Sequence, residues 1–517
     1  MGTPNMASYL ENSSILHPDK AALIFEDQGQ WTFRQVDEVT NQIANGLIDL
    51  GVKKGDRVTL FLPNCAEAIF FYFGIMKIGA IVNPLNMMLK HKEFEYIVGD
   101  CEPTILVAAT EIASEPLKVL AGAKTTIKRV IMVGGSKEGT ISFNDWLTKY
   151  PKTWDLQKAD ENQVAAVLYT SGTTGKPKGV MLTHKNLWTN AMHTASWAQT
   201  SYRDLGVCSL PLFHSYALTH VIGELWVSAG TIVWQKRFDA TQTLEALRKY
   251  RATCFHGVAT MFYAIVSHPK VDEYAKDINL RYAVTGAAIT PGPILNAWNE
   301  KFVNLSEGYG TTEAAPCVLM NPIPGKGIQK AGSCGVPIVP EIQVDVFDHN
   351  DKPIKKNEVG ELVIRGPNIM KGYWRKPEAT AEALRDGWYH SGDMVYFDED
   401  GYFYVKDRKK DMIVRAGFNI YPKEIENLLY THPAVEEAQI IGVPDLIKGE
   451  EVVACIALKP KQILTEEEVI KYCKDNMAAY KAPKFVRFFD SLPKTATGKL
   501  EKVTLRKILD NEFGEAY

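Results

Sequence analysis

No stretch of the 517-residue sequence is apolar for long enough to span a membrane. Ala68 to Met76 is short and sits between Glu67 and Lys77, while Tyr216 to Trp234 carries His220 and Glu224. Both are expected to be buried helix and strand pieces. Excess positive charge is absent too: 58 Lys and Arg stand against 61 Asp and Glu, a net charge of −3. That excludes global attraction to nucleic acid and leaves any anion binding to local groups. The eight cysteines (65, 101, 208, 254, 317, 334, 455 and 473) form no CxxC pair and none lies near a His at zinc-ligand spacing. They are expected to be reduced thiols of a cytoplasmic protein. The opening MGTPNMASYLENSS lacks a signal-peptide core, and the closing Glu515-Ala516-Tyr517 is not a peroxisomal SKL. There is no internal repeat or low-complexity tract.

What is present is ordinary globular material, 46% hydrophobic and 23% charged, in a chain long enough for two or more cores. Between about 160 and 306, β-branched runs alternate with amphipathic stretches. AAVLY, VCSL (207–210), TIVW, ATCF (252–255) and RYAVT read as strands; TQTLEALRKY and PGPILNAWNE read as helices. This alternation predicts a mainly parallel sheet covered by helices. The segment from WTFRQVDEVTNQIANGLIDLG to RVTLFLP repeats the same logic. Around 335 the texture becomes strand–turn–strand, with HNDK and DEDG as turns. After Arg408 a last βα stretch has the size of a small domain. The expected fold is α/β: a large N-terminal domain of mixed layers (1–409) with a β-rich subdomain (about 330–408), then a small mobile α+β C-terminal domain (410–517). The boundary falls in the charged segment KDRKKD, with a hinge at Lys410.

The strongest chemical signal is YTSGTTGKPKG, Tyr169 to Gly179. Glycines admit backbone N–H groups close to an anion, hydroxyls add donors and lysines add charge, which is the composition for holding a polyphosphate. A solvated hairpin is the plainer alternative. It is not a Walker loop: only two residues separate Gly172 from Gly175, and Lys176 precedes a proline. No GxGxxG sits at a strand-to-helix turn, so a dinucleotide fold has no support.

The loop is followed in order by PLFHSYAL (211–218), TGAAIT (285–290), EGYGTTE (307–313), WYHSGD (388–393), VKDRKKDMIVRAGFNIYPKEIE (405–426) and PKTATGK (493–499). With these seven elements the sequence resembles the adenylate-forming superfamily of acyl-CoA synthetases, luciferases and peptide-synthetase adenylation domains over nearly its whole length. The resemblance implies that Thr170, Ser171, Gly172, Thr173, Thr174, Gly175, Lys176 and Lys178 hold phosphates. Gly286, Ala287, Ala288, Glu307, Gly308 and Tyr309 would surround the adenine, with Gly310 and Thr311 continuing the nucleotide wall. Thr312 would bind the α-phosphate and Glu313 would hold a Mg²⁺ bridging the phosphates. Asp393 would accept the ribose hydroxyls and Arg408 would contact the nucleotide. Catalysis is assigned to Lys499, Thr312 and Glu313, since an ammonium offsets the repulsion when a carboxylate attacks the α-phosphorus. Rotation about Lys410 would then bring Gly417 to the site for coenzyme A. Lys236 and Arg237 are candidate contacts for the coenzyme's phosphates, although paired basic residues after a strand are also commonly just exposed.

The acyl pocket is assigned to His214, Tyr216, Gly257 and Val258. His214 stands where the family has a gate between the nucleotide and acid pockets; a lone His near an apolar run also reads as a satisfied core residue. EGYGTTEAAP has no Trp of the kind that shortens the pocket in acetate-using relatives, and FHGVATM has no acid to bind an α-amine. His256 and Ala259 replace two prolines of the fatty-acid form FPGVPTM. The implied activity is AMP-forming acid–CoA ligation, with ATP and coenzyme A as co-substrates and a medium or long fatty acid as the acid. Aryl and alicyclic acids, and loading of a carrier protein, are the alternatives. A silent nucleotide binder would lack a key residue, and none is missing; a luciferase-type oxidase shares every motif. The expected partners are these small molecules alone, with no nucleic acid; a homodimer is the candidate assembly, which the residues do not fix.

Overall fold

The apolar run Ala66–Lys77 forms a helix in which every residue but Glu67 is buried. A helix that is apolar on all sides has no face to offer water and must lie inside. It packs along the helix Phe33–Asp49, and its last residue, Lys77, meets Asp37 at 2.6 Å and the Asn41 side-chain oxygen at 2.6 Å. The computed structural model describes residues 4–122, 125–160, 162–170, 176–288, 290–494 and 500–513.

Two large sheets share one continuous cluster of buried side chains with this helix. The first has nine strands, ordered Val336–Pro337, Cys317–Met320, Leu305–Gly310, Tyr282–Thr285, Cys254–Gly257, Leu205–Cys208, Thr231–Trp234, Ala21–Phe25 and Gly29–Thr32. Its central pairings, from Leu305–Gly310 to Ala21–Phe25, are parallel. The second has eight strands and includes Arg57–Phe61, Ile81–Pro84, Val164–Thr170 and Lys178–Thr183. The alternation between 160 and 306 predicts one sheet, whereas the structure divides it between two. Val164–Thr170 pairs in parallel with Ile81–Pro84 and turns back antiparallel on Lys178–Thr183. The helix His184–Ala198, opened by a reciprocal Thr183–Asn186 cap, then leads to the nine-stranded sheet. Two strands also lie two residues from their expected places, at Leu205–Cys208 and Cys254–Gly257. Hydrophobic periodicity specifies a strand but not its partner or its end.

The expected β-rich texture after 335 is a five-stranded antiparallel sheet made of Gln343–Phe347, Gly360–Arg365, Trp388–Phe397, Leu384–Arg385 and Phe403–Arg408. A single helical turn, Lys409–Asp411, leads to the last sheet, where Ile413–Arg415, Phe418–Ile420, Val435–Asp445, Gly449–Leu458 and Phe485–Phe489 pack with helices Pro422–Tyr430, Glu466–Asn476 and Lys502–Phe513. Buried clusters of the earlier part end at Phe403 and those of the later part begin at Ile413. Polar contacts cross between them: Lys406 to Glu424 at 3.1 Å, and the Lys423 amide donating to Asp407 at 2.8 Å.

Candidate active site

Three parallel strands end side by side: Gly257 pairs with Thr285, and Thr285 with Glu307. The carboxyl edge of a parallel sheet is where open α/β folds place ligands. From this edge leave the segments Gly286–Ala288 and Gly308–Gly310. Ala287 adopts a left-handed φ of 67°, which turns the chain sharply away from the strand. A Cβ on Gly286 would stand 3.6 Å from the Tyr216 ring, and one on Gly310 would collide with the Pro316 carbonyl at 2.2 Å. Only glycine fits at 310.

Asp393 is nine-tenths or more buried and lies opposite Arg408 in the antiparallel pair Trp388–Phe397 and Phe403–Arg408. Its Oδ1 meets Arg408 Nε at 2.7 Å, and its Oδ2 accepts the Tyr309 hydroxyl at 2.5 Å. Burial pushes the Asp393 carboxyl up from its ordinary value, with Arg408 and Tyr309 pulling the other way. A carboxylate has about four acceptor positions, so both oxygens keep capacity for further donors. Tyr309, expected to stack on an adenine, thus also orients the carboxylate. Glu307 turns its carboxylate to the Gly332 amide at 2.7 Å, and burial raises its pKa to about 7.

Thr312 and Glu313 form one turn of 3₁₀ helix. Glu313 Oε1 accepts the Tyr373 hydroxyl at 3.0 Å, and burial raises the Glu313 pKa. The Lys178 ammonium lies 5.0 Å over the same Tyr373 ring, so the end of the Gly-rich loop and Glu313 share one tyrosine. The loop joins an antiparallel pair in which Thr170 faces Lys178, and Lys176 sits 6.0 Å over the Tyr96 ring. Ser171, Gly172, Thr173, Thr174 and Gly175 lie outside the described residues, as does Lys499.

Tyr216 opens a short π-helical turn, Tyr216–Val221, of a kind often found at functional sites. Its hydroxyl donates to the Val284 carbonyl at 3.2 Å and its amide to His214 Nδ1 at 3.2 Å. The hydroxyl of this acyl-pocket candidate is therefore engaged with the backbone. A Cβ on Gly257 would meet Phe262 and Phe255 at 3.1 and 3.2 Å, and Val258 caps the helix Ala259–Val266.

Residues 10–374 match the family model for the AMP-binding enzyme, and residues 424–499 match the model for the AMP-binding enzyme C-terminal domain. The chain belongs to the AMP-binding enzyme family. Among its relatives in that family, it is 34% identical to the long-chain-fatty-acid–CoA ligase of Bacillus subtilis, covering 98% of this chain and 94% of the relative. It is 36% identical to a feruloyl-CoA synthase of an Amycolatopsis species, covering 92% and 93%. The crystal structure of ATP-bound MatB from Rhodopseudomonas palustris superposes with a TM-score of 0.91 at 28% identity, covering 99% of this chain and 100% of that one.

Within this AMP-binding enzyme the structure joins Tyr309, Asp393 and Arg408 directly, and Lys178 and Glu313 through Tyr373, with Arg408 close enough to Glu313 to act on its charge. Gly286 stands against Tyr216. The coenzyme candidates are dispersed: Lys236 pairs with Glu111 at 3.4 Å, Arg237 is exposed, and Gly417 makes a tight turn at φ 81° with open space where a Cβ would be. Lys410 is exposed between two tethers, Lys409 to Glu361 at 3.0 Å and Asp411 to Arg506 at 2.8 Å. Sequence reasoning missed Tyr373 and Glu361. Neither stands in a pattern that marks chemistry, and each is found only through its partner.

Proposed function

We propose that this AMP-binding enzyme joins a carboxylic acid to ATP, giving an acyl-adenylate and pyrophosphate, and then transfers the acyl group to coenzyme A with release of AMP. The observation that carries this reading is the Tyr309–Asp393–Arg408 group at the carboxyl edge: a buried carboxylate already oriented by two donors, beside a ring able to cover a base. Asp393 would take the ribose hydroxyls, the loop from Thr170 to Lys178 the phosphates, and Thr312 the α-phosphate. Lys499 would oppose the charge that builds up as the acid attacks phosphorus.

A magnesium ion suits Glu313. Its carboxylate accepts the Tyr373 hydroxyl, and burial raises its pKa more than Tyr373 and the nearby Arg408 lower it, the setting of an acid short of positive charge. Thr312 beside it offers a second oxygen, and hard cations take oxygen ligands. Bound there with ATP, the ion would neutralise phosphate charge. The C-terminal domain from 410 to 517 would turn about Lys410, a reading supported by polar rather than apolar contacts across the boundary. A cytoplasmic location belongs to the same reading, supported by eight cysteines that are all buried free thiols.

Two classes of acid suit a pocket bounded by Tyr216 and His214. A medium or long fatty acid is one; an aryl acid is the other, and it is favoured by the polar side chains buried beside Tyr216. The test is formation of AMP and acyl-CoA from ATP, Mg²⁺, coenzyme A and acids graded in length and aromaticity. Pyrophosphate exchange without thioester would move the reading to a carrier-protein acceptor. Lys499→Ala should slow adenylation by about 10²-fold or more while sparing thioester formation from supplied acyl-adenylate. Equal loss of both half-reactions would refute the two-state picture.

A further inference from the structure

Four polar side chains, none of them among the assigned site residues, are buried together beside Tyr216. His220 and Glu224 follow Tyr216 at four-residue steps, and His256 and Tyr282 come from adjacent strands of the nine-stranded sheet. The Tyr216 ring lies 5.2 Å from that of His220 and 6.1 Å from that of His256. Glu224, with no exposed surface, accepts from His220 Nε2 at 2.9 Å, from His256 Nε2 at 3.1 Å and from the Tyr282 hydroxyl. Burial alone would raise its pKa, but the two imidazoles hold it well below the usual carboxylate range.

An ionised carboxylate only accepts, so each ring presents Nε2–H to it, and a neutral imidazole held in this way keeps Nδ1 as a bare acceptor. For His256 that acceptor is buried and has no partner among the described residues; Ser215 Oγ, next to Tyr216, is in the same condition. Buried polar atoms in native proteins are nearly always paired, so each exception asks for an explanation.

The position supplies one. His256 pairs with Val284, and alternation along the strands puts His256, Val284 and Gly286 on one face. That face carries Gly286, whose Cβ position is 3.6 Å from the Tyr216 ring, whereas Gly257 turns to Phe255 and Phe262. His256 therefore belongs to the same wall as Tyr216, and Glu224 fixes its tautomer.

We propose that His256 is a specificity-determining residue of the acyl pocket, and that the preferred acid carries a hydroxyl group at the end opposite its carboxyl group. The proposal rests on the acid–CoA ligase reading. A hydroxyl at that end donates to His256 Nδ1, while an alkyl or unsubstituted aryl end leaves the nitrogen unpaired. Sites built to pair a substrate hydroxyl discriminate strongly, because the analogue strands a buried polar group.

The experiment compares kcat/KM for thioester formation within matched pairs: 4-hydroxycinnamate against cinnamate, and ω-hydroxy acids against alkanoic acids of equal length, with dicarboxylic acids alongside. The enzyme should prefer the hydroxylated member of at least one pair by about 10- to 100-fold. His256→Leu should reduce that preference to within about twofold by removing the acceptor, and His256→Gln, which keeps one, should retain part of it. Ratios near one in every pair for the unaltered enzyme would overturn the proposal, whether or not the variants fold. So would an unchanged preference in His256→Leu, or a preference for dicarboxylic acids, which would make Nδ1 a donor. Absence of thioester from every acid would instead sink the ligase reading itself.

Discussion

If Tyr309 serves the nucleotide through Asp393, the two residues must fail together. The Tyr309 hydroxyl reaches Asp393 Oδ2 at 2.5 Å, and Arg408 holds the other oxygen at 2.7 Å. Replacing Asp393 by Ala removes a charge-assisted acceptor for the ribose, and hydrogen bonds to charged groups contribute about 1.5–3 kcal/mol each. One such bond corresponds to about 10- to 150-fold, so kcat/KM for ATP in pyrophosphate exchange should fall by at least 10-fold. Tyr309→Phe keeps the ring and removes only a donor to the carboxylate, which predicts a loss of about 5-fold. In the Asp393→Ala background the same Tyr309→Phe change should cost almost nothing, because its acceptor is gone. Double-mutant cycles isolate such a coupling when each change adds no new contact. Equal losses from Tyr309→Phe in both backgrounds would show that the hydroxyl acts on the nucleotide directly.

Other outcomes follow from burial and close packing. Glu307 has a folded pKa of about 7, above its ordinary 4.5, so between these values the native state binds more protons than the unfolded chain. Its contribution to stability is thus present at acid pH and lost as pH rises from about 4.5 through about 7, by about 3 kcal/mol. Thermal unfolding of Glu307→Gln should match the original protein near pH 5 and exceed it at pH 8; parallel profiles would refute the assignment. Gly179→Ala should cost about 1–3 kcal/mol in denaturant unfolding, because its Cβ would approach Val167 to 2.8 Å across the pair that carries the Gly-rich loop. An unchanged midpoint would show that the pair gives way freely. Glu224→Leu should destabilise by about 3–5 kcal/mol, since His220, His256 and Tyr282 lose a shared buried acceptor; a melting point within a degree of the original would contradict that.

The contact of Tyr309 and Arg408 with Asp393 joins short segments that the sequence already singles out by residue type. EGYGTTE and WYHSGD announce a ring, hydroxyls and carboxylates in fixed order, and the fold then places Tyr309 on Asp393. Tyr373 was illegible for the opposite reason: it sits in MKGYW, and its meaning comes from Glu313 and Lys178, which are distant in sequence. His220 and Glu224 registered only as interruptions of an apolar run, because a four-residue spacing does not say that a third group from another strand completes the set. The division of the alternating region into two sheets was equally hidden. Strand patterning reports how deeply a strand is buried, and Val164–Thr170 buries its central residues much as Leu205–Cys208 of the other sheet does. The run Ala68–Met76 reads as a buried piece, but with no polar face its pattern does not mark it as a helix, and the short strands Ile413–Arg415 and Phe418–Ile420 carry no pattern long enough to show.

The all-round burial of Ala66–Lys77 sets the timetable of synthesis. Its aromatic Phe73 stacks on Trp226 at 5.3 Å, and the strand Ala21–Phe25 pairs with Thr231–Trp234. These segments leave the ribosome before their partners, which are made some 150 to 210 residues later, about 10–40 seconds at ordinary elongation rates. Throughout that interval a greasy helix and an unpaired strand stand open to other nascent chains. The need for protection therefore falls on the region from Ala21 to Lys77, and slowing translation lengthens the exposure.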